Sequence, residues 1–229
     1  MSVSVLPFRH PTTILVSGPT GCGKTRFVQR LLDRNERAIV PFPERIVWVY
    51  SEWQPAYDEL ARSLQDRIEF VKDYDPAELY ESFDRNTKNM LVLDDQMGIA
   101  EGRELCKLFT QGSHHRNLTV LYIVQNLFFK DGAMCTVARN SHYKVLFKNP
   151  GDMRQLSDVA QQSYPGKSDF VHDAFTIATK NKPYSYMLMD FRPDIPDDVR
   201  VRTNIFDRKR AKILTPIKGR RATKKRKLQ

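Results

Sequence analysis

A chain of 229 residues, 41% of them hydrophobic, is long enough to bury a full sheet in one large α/β domain. Its longest apolar run, residues 118–124, is far too short to cross a bilayer, so no membrane role is expected. The formal net charge of +10 points to acidic partners, while three cysteines without metal-ligand spacing (Cys22, Cys106 and Cys135) read as reduced thiols of an intracellular, unsecreted protein rather than a disulfide framework.

Residues 1–11 read as a lead-in closed by His10-Pro11, with no charged start and apolar core of a secretory signal. A strand is expected over 12–17 and a helix over 25–35. Between them lies Gly18-Pro19-Thr20-Gly21-Cys22-Gly23-Lys24-Thr25, which fits G-x-x-x-x-G-K-[ST] at every fixed position. Strand, glycine loop and helix together form the context of a phosphate-binding loop. The glycines let backbone N–H groups curl inward, and the helix start adds partial positive charge. Lys24 is then expected on the β- and γ-phosphates of a nucleoside triphosphate and the Thr25 hydroxyl on Mg²⁺. Cys22 reads as a small spacer in that loop.

Pro41-Phe42-Pro43 interrupts regular structure. Strands follow over 45–50 and 68–71 with a helix over 56–64 between them. Asp75-Pro76 then opens a helix to about residue 83, with Asp75 as N-cap. The apolar run Met90-Leu91-Val92-Leu93 is a buried strand ending in Asp94-Asp95. A helix over 102–110, a strand over 118–124 ending in Gln125-Asn126, a helix over 132–140 and a strand over 143–147 complete the centre. Asp152 is expected to cap a helix to about 162, a further helix covers 169–180, and a last core strand covers 184–190. An edge strand is possible over 199–206. Strands alternating with helices imply an α/β fold, a mainly parallel sheet with helices on both faces.

The charge is not spread evenly. Residues 208–229 hold eleven Lys or Arg and no Asp or Glu, which leaves 26 basic against 27 acidic side chains in residues 1–207, a net charge of −1. Two parts are therefore expected: a P-loop ATPase domain over 1–207 and a basic, disordered tail over 208–229. The tail would attract nucleic acid or a nuclear import receptor, or be a solvated end without a partner.

Asp94 and Asp95 come at the carboxyl end of an apolar strand, where ligands of open α/β sheets bind. Asp94 suits Mg²⁺, and Asp95 suits general-base activation of the attacking water. A strand set between the loop and these carboxylates in sequence favours the additional-strand, catalytic-carboxylate branch of P-loop NTPases. Gln125, one methylene longer than Asn126, can donate to a γ-phosphate oxygen and accept from the lytic water. Arg116, in His114-His115-Arg116-Asn117, could neutralise transition-state charge at a neighbouring subunit's nucleotide. The adjacent His114 and His115 lack further ligands, so no site for a transition metal is read there. Trp48 and Trp53 read as packing residues.

Taken together, the loop with its preceding Ile14-Leu15-Val16-Ser17, Leu91-Val92-Leu93-Asp94-Asp95, the His114 to Asn117 run before Val124-Gln125-Asn126, and Val145-Leu146-Phe147-Lys148-Asn149-Pro150 resemble genome-packaging ATPases of the FtsK–HerA superfamily. Such enzymes occur in double-stranded DNA viruses, including poxvirus-type and adintovirus or Maverick/Polinton-type elements. The resemblance covers roughly residues 10–205. It implies a homo-oligomeric ring, a hexamer or pentamer, that uses ATP and Mg²⁺ to drive double-stranded DNA into a capsid through docking on a vertex protein, in the host nucleus, the virion or both. It assigns Lys24 and Thr25 to phosphate and Mg²⁺, Asp94 to Mg²⁺, Asp95 to water activation, Gln125 to sensing and Arg116 to the trans finger. Many relatives carry Glu where Asp95 stands, so either the water sits closer here or hydrolysis waits for the ring. Lys130, Arg139 and Lys144 are candidates for lining the DNA channel. The alternatives are a replicative helicase or other AAA-type ATPase, and a non-catalytic ATP-binding scaffold.

Overall fold

The computed structural model describes residues 7–33, 38–72, 74–94, 103–112, 116–127, 132–180, 183–207 and 209–216. Its strands are β1 (Phe8–Arg9), β2 (Thr13–Ser17), β3 (Ile39–Val40), β4 (Arg45–Tyr50), β5 (Ile68–Val71), β6 (Asn89–Asp94), β7 (Leu118–Val124), β8 (Tyr143–Phe147), β9 (Tyr186–Asp190), β10 (Val201–Thr203) and β11 (Lys212–Leu214). Its helices are α1 (Lys24–Asp33), α2 (Pro55–Leu64), α3 (Pro76–Glu81), α4 (Arg103–Lys107), α5 (Gly132–Arg139), α6 (Arg154–Ser163) and α7 (Ser168–Thr179).

A nine-stranded sheet runs in the order β11-β10-β9-β8-β2-β7-β6-β4-β5. From β8 to β5 every neighbouring pair is parallel, and β9, β10 and β11 are added antiparallel at the other edge. The central strands are buried along their whole length, which explains why they read as unbroken apolar runs rather than as alternation. Alternate residues feed two cores. Ile14, Val16, Trp48, Val92 and Ile123 pack under α1 and α2 through Phe27, Val28, Leu31, Tyr57 and Leu60. Leu15, Val49, Leu93, Val120 and Tyr122 pack under α4 to α7 through Leu105, Met134, Val137, Leu156 and Phe175. This is the P-loop NTPase architecture, with helices on both faces. In space it is β7 that lies between β2 and β6, while β4 and β5, which separate the loop from the carboxylates in sequence, lie beyond β6.

Local signals hold in detail at some ends and shift at others. Asp75 Oδ1 accepts from the amides of Ala77 and Glu78 at 2.8 and 2.9 Å, capping α3 as its sequence predicts. Asp152 accepts from the Arg154 amide at 3.1 Å, but the helix it precedes starts one residue later than a direct N-cap would place it, after Met153. The helix expected to reach 110 passes from α4 into a wider π turn over Leu108–Gly112. The short parallel pair β1–β3 has no counterpart in the sequence reading.

The boundary expected at residue 207 falls inside the folded sheet. Lys212–Leu214 pair antiparallel with Val201–Thr203, because Ile213 and Leu214 offer an apolar, hydrogen-bonding edge that a count of charges does not register. Residues 217–229 of the expected tail lie outside the described residues. Among the described residues no helix is long and apolar enough to cross a membrane.

Candidate nucleotide site

β2 ends at Ser17 and α1 begins at Lys24, so the loop 18–23 crosses the carboxyl edge of the parallel strands. The Gly18 amide donates to the Val124 carbonyl at 3.2 Å, fixing the start of the loop beside the end of β7. A Cβ at Gly18 would lie 2.6 Å from Phe147 Cβ, which gives the Val145 to Pro150 run a packing role against the loop. Gly23 has a φ of +99°, and a Cβ there would lie 2.8 Å from the Tyr184 ring. Conformation and space therefore both demand glycine. The Cys22 thiol is half-buried, and burial pushes its pKa up, as suits a spacer and not a nucleophile.

Lys24 Nζ donates to the Gly18 carbonyl at 2.7 Å and the Pro19 carbonyl at 3.1 Å, so the loop is folded onto its own ammonium. The first helical bond of α1 runs from the Phe27 amide to the Gly23 carbonyl at 2.9 Å, so the amides of Lys24, Thr25 and Arg26 stand ahead of it and carry the positive end of the helix dipole. Asp94 is buried at the end of β6. Its Oδ2 accepts from Thr25 Oγ1 at 3.4 Å and from the Tyr57 hydroxyl at 2.8 Å. A cleft of about 350 Å³ joins Lys24, Thr25, Asp94 and Gln125 with Gln29 and Tyr184. Gln125 faces this cleft, whereas the Asn126 amide oxygen accepts from Gln155 Nε2 at 3.1 Å. The all-oxygen donors of Thr25 and Asp94 fit Mg²⁺, which binds few protein ligands and leaves places for phosphate oxygens and water.

Of the other expected site residues, Asp95 and the channel candidate Lys130 lie outside the described residues, as do His114 and His115, where no site is expected. Arg116 sits before the amino end of β7, the opposite end from Gln125. Its guanidinium pairs with Glu81, lies 4.9 Å from the Tyr80 ring centroid, and donates to the Phe83 carbonyl at 3.4 Å. The structure thus does not bring Arg116 to its own chain's cleft. Lys144, a channel candidate by sequence, is buried with Nζ 4.2 Å from the centroid of the Phe191 ring. It is therefore a core residue, since β8 is covered on both faces. Arg139 is exposed at the end of α5.

Two residues at the cleft escape sequence reading. Tyr57 is the single aromatic of α2 and reads as one more residue of its apolar face, and nothing in its spacing reveals the bond to Asp94 across 37 residues. Tyr184 follows Pro183 and reads as the start of a strand, yet it stands 54% exposed over the loop.

No protein-family model matches the chain, and no curated protein matches it. Its structure is similar to that of the genome packaging NTPase B204 from Sulfolobus turreted icosahedral virus 2, solved in complex with ATP-gammaS. The TM-score is 0.58 at 11% identity, over 90% of this chain and 98% of that one. A second likeness, to ATPases 2 and 3 of EccC from Thermomonospora curvata in complex with a signal sequence peptide, has a TM-score of 0.42 at 15% identity. It spans 61% of this chain and 30% of that one.

Proposed function

We propose that this chain is an ATPase that drives double-stranded DNA into a viral capsid, working as a homo-oligomeric ring of the FtsK–HerA type found in poxvirus-type and adintovirus or Maverick/Polinton-type elements. The observation that carries the reading is the meeting of Lys24, Thr25, Asp94 and Gln125 in one cleft, with β7 between the loop strand and the Asp94 strand. The fold likeness to a viral packaging NTPase over nearly the whole of both chains supports the choice of cargo.

The chemistry starts at the loop. Phosphate oxygens offer Lys24 charge-assisted bonds, roughly twice as strong as those to neutral carbonyls. Binding therefore draws the ammonium away from the Gly18 and Pro19 carbonyls it holds in the free chain. Thr25 and Asp94 would hold Mg²⁺, which neutralises charge on the β- and γ-phosphates when bound. Gln125 holds a γ-phosphate oxygen and orients the attacking water. Asp95 takes the proton of that water as the β–γ bridging bond breaks, leaving ADP and phosphate. Arg116 would act across a subunit interface only after release from Glu81, a step that ring assembly can drive. The capsid vertex protein as docking partner, an import receptor for the basic tail, and the host nucleus or virion as location belong to the same proposal.

The test is ATP turnover of the full chain with and without duplex DNA. Duplex is expected to stimulate hydrolysis, and Lys24→Ala to reduce it at least a hundredfold, the scale of losing a transition-state charge contact. Stimulation by single strands alone, with unwinding, would make the chain a helicase. An oligomer without turnover would make it a scaffold.

A further inference from the structure

The phosphate cleft accounts for only the triphosphate end of a nucleotide, and a second cavity opens directly from it. This cavity, about 620 Å³, shares Gly23, Arg26 and Tyr184 with the cleft and runs away from Asp94 toward β9 and β10. Topology explains the direction. β6 and β7, which carry Asp94 and Gln125, lie on one side of β2, while β8, β9 and β10 lie on the other. β9 is antiparallel to its parallel neighbour β8, so Tyr184, just before β9, stands at the same edge of the sheet as the loop. A triphosphate with its γ end at Asp94 and Gln125 and its β end at Lys24 therefore leads its α end past Gly23 into this space.

The lining suits what is attached there. Phe27, Tyr186 and Phe206 line it as an interlocked aromatic set, with Phe27 centroids 4.8 Å from Tyr186 and 5.1 Å from Phe206. Tyr184 is half-exposed and held at a φ of +65°, a conformation that a bulky residue rarely adopts. Its ring covers Gly23, with the Arg26 guanidinium 5.8 Å from the centroid. Asn204 and Asp207 add polar groups to the lining, and Arg30, Lys209 and Arg210 add further cations suited to the phosphate end of the ligand. An aromatic platform, a cation next to the phosphate path and a few polar atoms are what a nucleobase and its ribose bind.

We infer that this cavity is the nucleoside subsite, in which Tyr184 supplies the stacking surface for the base and Arg26 stands beside the α-phosphate. The inference rests on the triphosphate reading of the loop and goes beyond it by locating the rest of the ligand. It makes Tyr184 a binding residue for the base and not merely a cover for the loop.

Calorimetric titration of the full chain with ATPγS and with inorganic tripolyphosphate, each with Mg²⁺, tests it. The unaltered chain is expected to bind ATPγS at least tenfold more tightly than tripolyphosphate, since stacking alone supplies about that factor. Tyr184→Ala should erase about tenfold of ATPγS affinity and leave tripolyphosphate within twofold, and Tyr184→Trp should restore the difference. Lys24→Ala should weaken both ligands. Equal affinity of the unaltered chain for the two ligands would overturn the subsite and leave the triphosphate reading standing. So would a Tyr184→Ala effect that falls equally on both ligands, which would mark Tyr184 as loop support. No binding of either ligand would remove the triphosphate reading itself and the subsite with it.

Discussion

Asp94 is nearly buried, and the hydroxyl of Tyr57 meets its Oδ2 from α2 on one side while Thr25 meets it from α1. A buried carboxylate depends on such donors, because water is not there to replace them. Tyr57→Phe keeps the ring in its contacts with Trp48 and Phe70 and removes only the hydroxyl. The metal-free chain is expected to lose about 1.5–3 kcal/mol, the net worth of a bond to a charged group, measured by denaturant unfolding. A loss below about 0.3 kcal/mol would show that the phenol does not support the carboxylate. Gly23 is the opposite case, where adding one atom does the damage. Gly23→Ala places a Cβ 2.8 Å from the Tyr184 ring at a φ of +99°, a strain of order 1–3 kcal/mol. We expect lower thermal stability and nucleotide affinity reduced at least tenfold. Tyr184→Gly in the same chain should recover part of the stability by clearing the contact. Both residues show where motif reading stops. The loop motif names Gly23 but not the ring above it, and no motif names Tyr57.

At the scale of elements, β8 crosses the middle of the sheet with a lysine inside it. Burial pulls the Lys144 pKa down from 10.5 to about 8, and the Phe191 ring offsets only part of that desolvation. Below pH 8 the ammonium is charged in both folded and unfolded chains, so the full burial penalty is present. Between pH 8 and 10.5 the unfolded chain keeps a proton that the folded chain gives up, and the penalty fades as pH rises. Lys144→Met should therefore stabilise the chain at pH 7 by about 1–3 kcal/mol, with the gain shrinking as unfolding is measured from pH 8 to pH 10. A gain independent of pH would mean that the charge is not what costs stability. The strand itself was fully legible, since Tyr143-Lys144-Val145-Leu146-Phe147 keeps its β-forming character around the lysine. The face of the lysine was not, because a strand buried on both sides shows no alternation to read. β2, β4, β6 and β7 were legible for the same reason of continuous apolar sequence, while β1 and β3, at two residues each, are too short to carry a period.

Across the whole molecule, the sequence order of loop, carboxylate strand and amide strand carried the fold and most of the cleft, because these features sit at strand ends where one motif marks one position. The nucleoside cavity was illegible because it is assembled from α1, the approach to β9 and the segment after β10, which no linear pattern joins. Charge was legible as a total but misplaced at its boundary. Lys212–Leu214 belong to the sheet, so a deletion of the basic segment that spares β11 begins at residue 217. Residues 217–229 still hold seven Lys or Arg and no acidic residue. Removing residues 208–229 is expected to strip β11 from the edge of β10 and lower stability as well as DNA affinity. Removing only 217–229 should leave thermal stability within about 0.5 kcal/mol, as for surface changes away from packed groups. Each phosphate contact releases counterions and contributes about 0.9 to the slope of log affinity against log salt. The shorter deletion should therefore reduce that slope for duplex DNA by at least about 1, and by about 6 if all seven cations touch phosphates. ATP turnover without DNA should stay unchanged, since none of the described residues lining the cleft belongs to this segment. An unchanged salt slope would assign the segment to a protein partner such as an import receptor, and would leave DNA attraction to residues 1–216, which hold 30 Lys or Arg against 27 Asp or Glu.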